Sequence, residues 1–335
     1  MTAARPIRVG INGFGRIGRT LFRLLHTVPD IEVVQVNDIA SAETLAHLLK
    51  YDSVHGMLPM PVFASGEDQI TIGDQNISFS SEAIIKNIPW KNLDVVIECT
   101  GKFKIREQLE PHLGTEVSKV ILSVPPQDDA IKTIVLGVNE GLITEEDTII
   151  SNASCTTNNA APMLQVIQNI CGIDQAYITT VHSYTTDQSL HDQPHRDLRR
   201  ARAAGQSIVP TTTGAAKALT KIFPELSDVI GGCGIRVPVI NGSLTDITLN
   251  VQRDISIAAV NEAFQKASEN ELKGILQYTE DPIVSVDIKG NPHSCIFDAG
   301  MTSVIGRLVK IIGWYDNEVG YSSRIIDLIR LISRK

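Results

Sequence analysis

The sequence lacks any apolar run that approaches the roughly 18 residues needed to span a membrane, so we expect no membrane partner. It also lacks a basic surplus. Its 30 Lys and Arg against 38 Asp and Glu give a net charge of -8, which argues against nucleic-acid binding by a basic surface but not against local basic pockets. The stretch Met1–Pro6, before the first predicted strand, is too short and too polar for a secretory signal. What remains is an ordinary soluble globular protein of 335 residues, long enough for two domains.

Cysteine pairs at the spacing of disulfide frameworks or zinc sites are also missing. The five cysteines, at positions 99, 155, 171, 233 and 295, contain no CxxC pair. An odd number of cysteines without framework spacing indicates reduced thiols in the cytoplasm. We therefore expect a cytoplasmic protein with no metal site.

One of these thiols, Cys155, stands in the unusually polar stretch 151–158. A short apolar run precedes this stretch, and a mostly apolar segment over 160–170 follows and is closed by Gly172, which predicts strand, turn and helix. Unpaired N–H groups and the helix dipole stabilise a thiolate at a helix N-terminus, so we expect the pKa of Cys155 to fall below its free value of about 8.5. A buried structural thiol is the usual alternative. However, hydroxyl and amide side chains crowded around one sulfur are unfavourable in a core unless they bind something.

A glycine-rich turn follows the first predicted strand, Ile7–Asn12. Its sequence is Gly13-Phe14-Gly15-Arg16-Ile17-Gly18, and a helix is predicted directly after it. GxGxxG alone is a weak signal, but the dinucleotide-binding fingerprint requires it between a strand and a helix, as here. Gly13 permits the tight turn, Gly15 lets the backbone approach a pyrophosphate, and Gly18 allows close helix–strand packing. The pyrophosphate would lie on the helix N-terminus.

Polar residues also end the later strands of this half. Asp38 follows the predicted strand 31–36 at the distance from the glycines where an acid binds the adenosine ribose hydroxyls. Its carboxylate should repel a ribose phosphate, so we expect NAD rather than NADP. The alternative is that Asp38 only caps a helix beginning near Ser41. Thr100 and Ser123 end two further strands at the edge where open parallel sheets bind ligands, although such hydroxyls more often form turns.

The order of the predicted elements indicates the fold class. Strands and helices alternate in the first half, which predicts an α/β Rossmann-type dinucleotide-binding domain, with antiparallel strands inserted in its sheet over 62–80. The second half alternates with period two over 243–251 and 304–313, which predicts an α+β domain with a mostly antiparallel sheet. A final amphipathic helix is predicted over 324–331.

Several residues of the second half are candidate partners of Cys155. His182 ends a predicted strand. A lone histidine there is most often structural, but His182 could pair with the thiolate and take the hydroxyl proton formed when sulfur adds to a carbonyl. The polar segment 183–206 is long enough to indicate a functional loop. The residues 210–214 open a helix as an anion-binding nest, and Arg236, a cation in an apolar strand, requires an anionic partner.

Together these motifs resemble phosphorylating, NAD-dependent glyceraldehyde-3-phosphate dehydrogenase over the whole chain. The resemblance implies a homotetramer whose subunits pair a Rossmann domain (1–154, completed by a C-terminal helix at 319–335) with an α+β catalytic domain (155–318). It implies glyceraldehyde 3-phosphate and inorganic phosphate as partners, and the composition adds the expectation of no nucleic acid and no membrane. The blocks that carry it are Ile11-Asn12-Gly13-Phe14-Gly15-Arg16-Ile17-Gly18-Arg19, Tyr51-Asp52-Ser53-Val54-His55-Gly56, Ser151-Asn152-Ala153-Ser154-Cys155-Thr156-Thr157-Asn158, Pro210-Thr211-Thr212-Thr213-Gly214-Ala215-Ala216-Lys217 and Trp314-Tyr315-Asp316-Asn317-Glu318.

The resemblance also implies a role for individual residues. Cys155 would be the nucleophile and His182 the residue that activates it. Asn317 would hold the nicotinamide amide, and Arg200 would be a further substrate contact. The C3 phosphate of the substrate would be bound by Thr185 and Arg236, and the attacking phosphate by Ser154, Thr156, Thr213 and Gly214. The cofactor-binding positions would be Gly13, Gly15, Arg16, Ile17, Asp38, Ser123 and Asn317.

Two departures from the family pattern stand near these sites. The family commonly has a second cysteine four residues after the nucleophile, and here the residue is Asn159. The chemistry does not need that cysteine, and its absence removes one route to an inactivating disulfide. The segments 231–234 and 239–242 on either side of Arg236 also differ, which would alter the C3-phosphate pocket or the subunit contacts.

Two other functions compete with this one. Erythrose-4-phosphate dehydrogenase shares the thiol, the histidine and the Rossmann parts, and it resembles the chain over 291–294, but it usually lacks the pattern kept at 213–217. A non-catalytic binding protein on the same fold is the other alternative. The intact set of Cys155, His182 and Arg236 argues against it.

Overall fold

The computed structural model describes residues 5–333, which divide into two compact units. The first contains the described residues of 1–134, 141–153 and 322–335, and the second contains 135–140 and 154–321. Residues 1–4, where no secretory signal is expected, and 334–335, at the end of the predicted C-terminal helix, lie outside the described part. No helix within 5–333 is long and apolar enough to cross a membrane.

The first unit is built on a nine-stranded sheet with the order β10-β11-β9-β8-β1-β2-β7-β6-β5. Its helices are α1 (Arg16–Leu25), α2 (Ala42–Lys50) and α3 (Arg106–Leu109). Its strands, with the separate hairpin β3–β4, are β1 (Ile7–Asn12), β2 (Ile31–Asn37), β3 (Tyr51–Asp52), β4 (Gly56–Met57), β5 (Val62–Ala64), β6 (Gln69–Ile72), β7 (Gln75–Ser80), β8 (Val95–Glu98), β9 (Lys119–Leu122), β10 (Lys132–Thr133) and β11 (Ile149–Ser151).

Six of these strands follow one another in the parallel core of the sheet, from β10 to β2, and β7 continues it in parallel. Every residue of β8 is buried, as expected for a central strand covered on both faces. This topology confirms the predicted Rossmann-type class. The antiparallel strands predicted over 62–80 do form, but they extend one edge of the sheet and are not inserted within it, because β7 pairs with β2 and carries β6 and β5 outward.

The second unit holds an eight-stranded sheet with the order β13-β14-β12-β15-β19-β17-β16, and β18 pairs with β19. The helices introduced with it are α4 (Cys155–Cys171), α5 (Ala215–Ile222), α6 (Ile257–Glu269) and α7 (Val319–Ile332). The strands are β12 (Ile173–Ser183), β13 (Val209–Thr211), β14 (Ile230–Val237), β15 (Ser243–Val251), β16 (Leu276–Thr279), β17 (Cys295–Asp298), β18 (Ser303–Ile305) and β19 (Leu308–Tyr315).

Most pairs of this sheet are antiparallel, which confirms the predicted α+β class; the parallel pairs are β12–β14 and β16–β17. Alternate residues of β15 are buried, because one face of the strand packs under α4. The predicted strand over 304–313 is a hairpin of β18 and β19. Helix α4 lies across β12, β15, β17 and β19 and so is positioned by the centre of the sheet.

The last helix begins at Val319, earlier than residue 324, which the amphipathic pattern predicted, and at the residue that the resemblance implied. Asp316 Oδ1 accepts hydrogen bonds from the backbone N–H groups of Glu318 and Val319, each at 2.9 Å, and this side-chain cap starts α7 at Val319. From Ser322 onward the helix belongs to the first unit. There Arg330 Nε lies 2.8 Å from a carboxylate oxygen of Asp30.

Candidate active site

Cys155 is the first residue of α4, as the sequence predicted. The N-cap residue is Ser154, whose Oγ accepts a hydrogen bond from the Thr157 N–H at 3.1 Å. The helix ends at Gly172, which has a positive φ of 71° that a side chain would disfavour. The polar stretch around the thiol therefore builds a capped helix start, and the sulfur is held by a rigid element.

The imidazole of His182 lies within hydrogen-bond distance of this sulfur. Its Nε2 lies 3.4 Å from Cys155 Sγ, and its Nδ1 lies 2.7 Å from the Ser183 carbonyl oxygen. A ring whose Nδ1–H donates to that carbonyl presents Nε2 as an acceptor toward the thiol. The sequence suggested these two residues separately, and the structure brings them together.

Arg236 completes this cluster from the neighbouring strand. β14 runs parallel to β12 with Arg236 in register with His182, and its Nη1 lies 2.5 Å from His182 Nδ1 and 2.9 Å from the Ser183 oxygen. A guanidinium can only donate hydrogen bonds. Because Nδ1 carries the ring proton, the acceptor for Nη1 is the Ser183 oxygen, and the described contacts of Arg236 with the ring and with this oxygen supply no anion of the kind that the sequence led us to expect.

The pKa values of Cys155 and His182 correct one expectation. Burial raises the pKa of the Cys155 thiol, and the Arg236 cation and the hydrogen bonds of Thr156 offset this only in part. The predicted fall in this pKa is therefore wrong. Burial, with a smaller effect of Arg236, lowers the pKa of His182 to about 3. At neutral pH the structure thus favours a neutral thiol beside a neutral imidazole.

The hydroxyls predicted to bind the attacking phosphate lie at two helix starts. Thr156 Oγ1 is 2.9 Å from the hydroxyl of Tyr315. Thr213 Oγ1 accepts from the Ala215 N–H at 3.2 Å, and Gly214 is the N-cap residue of α5. Helices α4 and α5 pack against each other. Two positive helix ends of one unit therefore come from packed helices, an arrangement that favours anions.

The other two predicted substrate contacts have partners of their own. Thr185 donates from its backbone N–H and its hydroxyl to Gln188 Oε1, at 2.8 and 3.1 Å. Arg200 forms an ion pair with Asp187 and donates from Nε to Thr211 Oγ1 at 2.8 Å. The two arginines therefore differ: Arg200 is neutralised by a carboxylate, and Arg236 lies against a ring nitrogen.

Asn317 is held by three donors in the second unit. Its Oδ1 accepts from the hydroxyls of Ser183 and Ser243, at 3.0 and 3.2 Å, and from the Gly242 N–H at 3.2 Å. The amide group is thereby fixed in orientation. Sequence analysis missed Ser183, although its position next to His182 in the strand was a usable signal.

Two further contacts within the second unit bear on the thiol. The ring of Tyr315 meets that of His182 edge-on, with centroids 6.0 Å apart; nothing in the sequence pointed to this pair. Asn159, which replaces the second cysteine, is wholly buried. Its Nδ2 donates to the carbonyl oxygens of Ser294 and Trp314, each at 3.3 Å, so it fastens α4 to two neighbouring segments.

The glycine-rich turn of the first unit fits a dinucleotide. Gly13 has a φ of +92°, and a Cβ there would lie 2.6 Å from the Thr100 nitrogen. A Cβ on Gly18 would lie 2.3 Å from the Gly13 oxygen. Gly15 is different, since a Cβ there would meet nothing within 4 Å. The backbone at Gly15 is open to an approaching group, as a pyrophosphate site requires.

The residues predicted beside this turn are positioned as follows. Arg16 and Ile17 are the first two residues of α1, and Arg16 Nη1 lies 2.6 Å from Asp52 Oδ2. Burial would raise the pKa of Asp52, but N–H donors and Arg16 lower it to about 2. Ser123 follows β9, is buried, and donates its N–H to the Glu98 oxygen at 3.0 Å.

Asp38 does not cap α2, because the N-cap residue of that helix is Ser41. Its Oδ2 accepts from the Phe14 N–H of the glycine turn at 2.6 Å, and its Oδ1 accepts from the Ala40 N–H at 3.0 Å. The capping alternative is therefore excluded. The half-buried carboxylate ties the end of β2 to the turn and remains at the edge of the sheet.

The cysteines and the potential metal ligands form neither disulfides nor a metal-binding cluster in residues 5–333. None of the five cysteines is in a disulfide. Within residues 5–333, no group of three or more His, Cys, Asp and Glu side chains could hold a metal ion.

Comparison with known proteins gives the family. The glyceraldehyde 3-phosphate dehydrogenase NAD-binding domain matches residues 7–106, and the C-terminal domain of the same family matches 154–317. The chain is 52% identical to glyceraldehyde-3-phosphate dehydrogenase 2 of Streptomyces avermitilis over 327 residues, 96% of this chain and 97% of the relative. It is 48% identical to the glyceraldehyde-3-phosphate dehydrogenase of Mycobacterium avium over 336 residues, 98% of this chain and 99% of the relative. The resemblance seen in the sequence is thus confirmed, and the chain belongs to the glyceraldehyde 3-phosphate dehydrogenase family.

Proposed function

We propose that this chain is an NAD-dependent phosphorylating dehydrogenase that converts D-glyceraldehyde 3-phosphate to 1,3-bisphosphoglycerate in glycolysis or gluconeogenesis. The observation that carries the proposal is the cluster in the second unit: Cys155 Sγ lies 3.4 Å from His182 Nε2, and Arg236 lies beside the same ring. A thiol, a base and a cation that forms no direct ion pair with a carboxylate of residues 5–333 suit an aldehyde that carries a phosphate.

The first half of the reaction forms a thioester on Cys155. His182 takes the thiol proton while sulfur bonds to the aldehyde carbon and then returns this proton to the oxygen, which gives a hemithioacetal. NAD, when bound, supplies the acceptor for the hydride of that carbon. His182 then takes the hydroxyl proton as the carbonyl re-forms, which leaves the thioester.

The second half releases the product. A phosphate oxygen bonds to the thioester carbon, the carbon–sulfur bond breaks, and the acyl phosphate leaves. Cys155 recovers its proton from His182. The residues proposed for the attacking phosphate supply hydroxyls and helix N-termini, which stabilise the developing negative charge: Ser154, Thr156, Thr213 and Gly214.

Arg236, with Thr185, is proposed to bind the C3 phosphate, and Arg200 to be a further substrate contact. Burial is the main cause that lowers the pKa of His182, and the Arg236 cation lowers it further. A phosphate beside Arg236 would offset the effect of the cation, so substrate binding would raise the pKa of the base that must accept a proton. Binding and activation are thus coupled through one guanidinium.

NAD is proposed to bind at Gly13, Gly15, Arg16, Ile17, Asp38, Ser123 and Asn317. The open face of Gly15 and the start of α1 support the pyrophosphate position. The fixed amide of Asn317 supports its role at the nicotinamide. The functional domains proposed are 1–154 with 319–335 for the cofactor and 155–318 for catalysis.

We further propose a homotetramer in the cytoplasm. Five unpaired thiols suit a reducing compartment. Sedimentation should give about four times the chain mass of 36.5 kDa. A mass of one or two chains would contradict the tetramer.

The proposal is tested by NADH formation with glyceraldehyde 3-phosphate or erythrose 4-phosphate, each with and without inorganic phosphate. We expect sustained NADH formation only with glyceraldehyde 3-phosphate and phosphate together. Faster turnover of erythrose 4-phosphate would favour the rival dehydrogenase. Absence of NADH with either aldehyde would favour a non-catalytic binding protein.

A further inference from the structure

Three buried side chains and one half-buried side chain form a row across the carboxyl ends of four neighbouring strands in the first unit. Glu98 ends β8, Asn12 ends β1, Asn37 ends β2 and Ser80 ends β7, and the pairs are in register. Ser80 Oγ donates to Asn37 Oδ1 at 2.8 Å, Asn37 Nδ2 to Asn12 Oδ1 at 2.8 Å, and Asn12 Nδ2 to Glu98 Oε2 at 2.6 Å. We name this row, Glu98–Asn12–Asn37–Ser80, the strand-end ladder.

A second chain of hydrogen bonds reaches Glu98 from the other side. Trp90 Nε1 donates to His112 Nδ1 at 3.0 Å. An indole N–H can only donate, so Nδ1 is unprotonated and the neutral ring carries its proton on Nε2. That Nε2 lies 3.1 Å from Glu98 Oε2, and both side chains are 0% exposed. His112 therefore donates to Glu98.

Thr100 completes the environment of the carboxylate. Its N–H donates to Glu98 Oε1 at 2.8 Å, and its hydroxyl donates to the same oxygen. Four donors thus converge on Glu98, from Asn12, His112 and twice from Thr100. Only a group that accepts at both oxygens satisfies all four, which means a carboxylate.

The donor-to-acceptor direction of the hydrogen bonds in the strand-end ladder follows from the Glu98 carboxylate at its end. Each amide donates toward Glu98 and accepts from the strand behind it. An amide in place of the carboxylate would set an N–H against another donor, and a buried donor without an acceptor is costly. Glu98 therefore fixes the orientation of the Asn12 amide. The Asn37 amide has the matching orientation and is also held by the backbone of Glu82, whose N–H donates to Oδ1 and whose oxygen accepts from Nδ2, each at 2.9 Å.

The ladder lies directly beneath the segments that surround the proposed nucleotide site. Gly13, Asp38 and Thr100 come right after Asn12, Asn37 and the pair 98–99. Gly13 donates its N–H to the Asn37 oxygen at 2.8 Å, and Asp38 donates its N–H to the Ser80 oxygen at 3.1 Å. A change in the ladder would shift these segments first.

We propose that Glu98 is a positioning residue for NAD, which acts through the strand-end ladder to hold the glycine turn, Asp38 and Thr100 in the geometry that binds the cofactor. The inference rests on the proposed function, since that function requires NAD. It gives Glu98 no contact with the cofactor and no part in the chemistry of Cys155.

The test is calorimetric titration of NAD into the full-length protein and its variants, with melting temperature and Cys155 alkylation rate measured on each. Glu98→Gln keeps shape and removes the second acceptor; we expect NAD to bind about tenfold more weakly, as the loss of one buried charge-assisted hydrogen bond would cause. The alkylation rate should stay within about twofold, because the thiol belongs to the other unit.

A second substitution should restore the donor–acceptor pairing between positions 12 and 98. In Glu98→Gln with Asn12→Asp, the carboxylate introduced at position 12 can accept from both Asn37 and the amide introduced at position 98. Because the His112 N–H still faces the amide at position 98, we expect NAD affinity to recover in part, to a value between those of Glu98→Gln and the wild type. Trp90→Phe is the matched control. It removes a donor on the His112 side, so it should lower the melting temperature without weakening NAD binding.

Three results would overturn the inference. They are wild-type affinity in folded Glu98→Gln, no recovery in the double variant, and equal weakening by Trp90→Phe at a similar loss of melting temperature. If Glu98→Gln does not fold, Asn37→Ser interrupts the same ladder and should weaken NAD binding; unchanged affinity there would overturn it too. A wild-type chain that binds NAD but forms no NADH would contradict the proposed function alone.

Discussion

The strand ends of the first unit and the thiol cluster of the second unit treat buried polar groups differently. At the strand ends, Asn12 and Asn37 each donate and accept, and both chains of hydrogen bonds end on Glu98. Around Cys155, the Arg236 guanidinium lies 2.5 Å from a ring nitrogen of His182. In the first arrangement the polar groups are hydrogen-bonded to one another. In the second, a bound anion would neutralise the charge of Arg236.

This difference corresponds to two tasks. A cofactor site needs a fixed backbone, and a fully satisfied network resists rearrangement. A site for anionic substrates needs a cation whose charge is still available. Arg236 provides it, and because it adds to burial in lowering the pKa of His182, it links anion binding to proton transfer. The two arginines of the second unit show the same contrast, since Asp187 already neutralises Arg200.

The largest effect should come from Cys155→Ser. We expect loss of more than about a thousandfold in turnover, because the nucleophile is removed, while NAD affinity is unchanged because the ladder is intact. Stopped-flow NADH absorbance and calorimetry measure the two. Cys171→Ser, at the other end of α4, is the matched control and should remain active. Retained turnover in Cys155→Ser would remove the thiol from its proposed role.

His182→Asn should follow, with turnover lower by about a hundredfold or more, as for loss of a general base. Iodoacetamide alkylation of Cys155 at neutral pH should also slow. His195→Asn removes an imidazole that contacts Asp197 instead of the thiol and should leave the alkylation rate unchanged. Identical kinetics in wild type and His182→Asn would mean that the imidazole does not activate the sulfur.

Arg236→Ala tests, through a pH profile, how the charge of Arg236 affects the pKa values of Cys155 and His182. Arg236 opposes the burial that raises the pKa of Cys155 and adds to the burial that lowers the pKa of His182, so both values should rise when it is removed. The alkylation curve should shift to higher pH, and KM for the aldehyde should rise about tenfold or more, as for loss of a charge-assisted phosphate contact. Arg236→Lys should keep the pH shift small. A larger pH shift and a larger rise in KM in Arg200→Ala than in Arg236→Ala would contradict the proposed difference between the two arginines.

Asp38→Ala should have the smallest effect. Removing the carboxylate removes repulsion of a ribose phosphate, so the preference for NAD over NADP should narrow by about tenfold, as for one charge interaction. The ratio of kcat/KM for the two cofactors measures it. Asp30→Ala, whose carboxylate pairs with Arg330, should leave the ratio unchanged. A wild-type protein without any preference would contradict the repulsion argument.

Local patterns explain what the sequence could predict. The glycine turn, the helix start at Cys155 and its end at Gly172 depend on residues close in the chain, and each was placed correctly. The fold class followed from the order of strands and helices. The antiparallel strands over 62–80 were recognised, but their place at the sheet edge depends on which strand they pair with.

Interactions between distant residues explain what the sequence could not predict. The direction of the Cys155 pKa depends on burial by the folded chain, which outweighs the helix start that the sequence reveals. Asn12 and Glu98 are 86 positions apart, and Thr156 and Tyr315 are 159 apart. The ion pair of Arg200 with Asp187 could not be predicted either, because it depends on how the loop folds.

The most direct test of the central claim is a rapid-mixing experiment with NAD and glyceraldehyde 3-phosphate in the absence of inorganic phosphate. The account predicts a burst of no more than about one NADH per chain, because the thioester on Cys155 then accumulates. Addition of phosphate should start continuous turnover. Continuous NADH formation at the full rate without phosphate, or no burst at all, would contradict it.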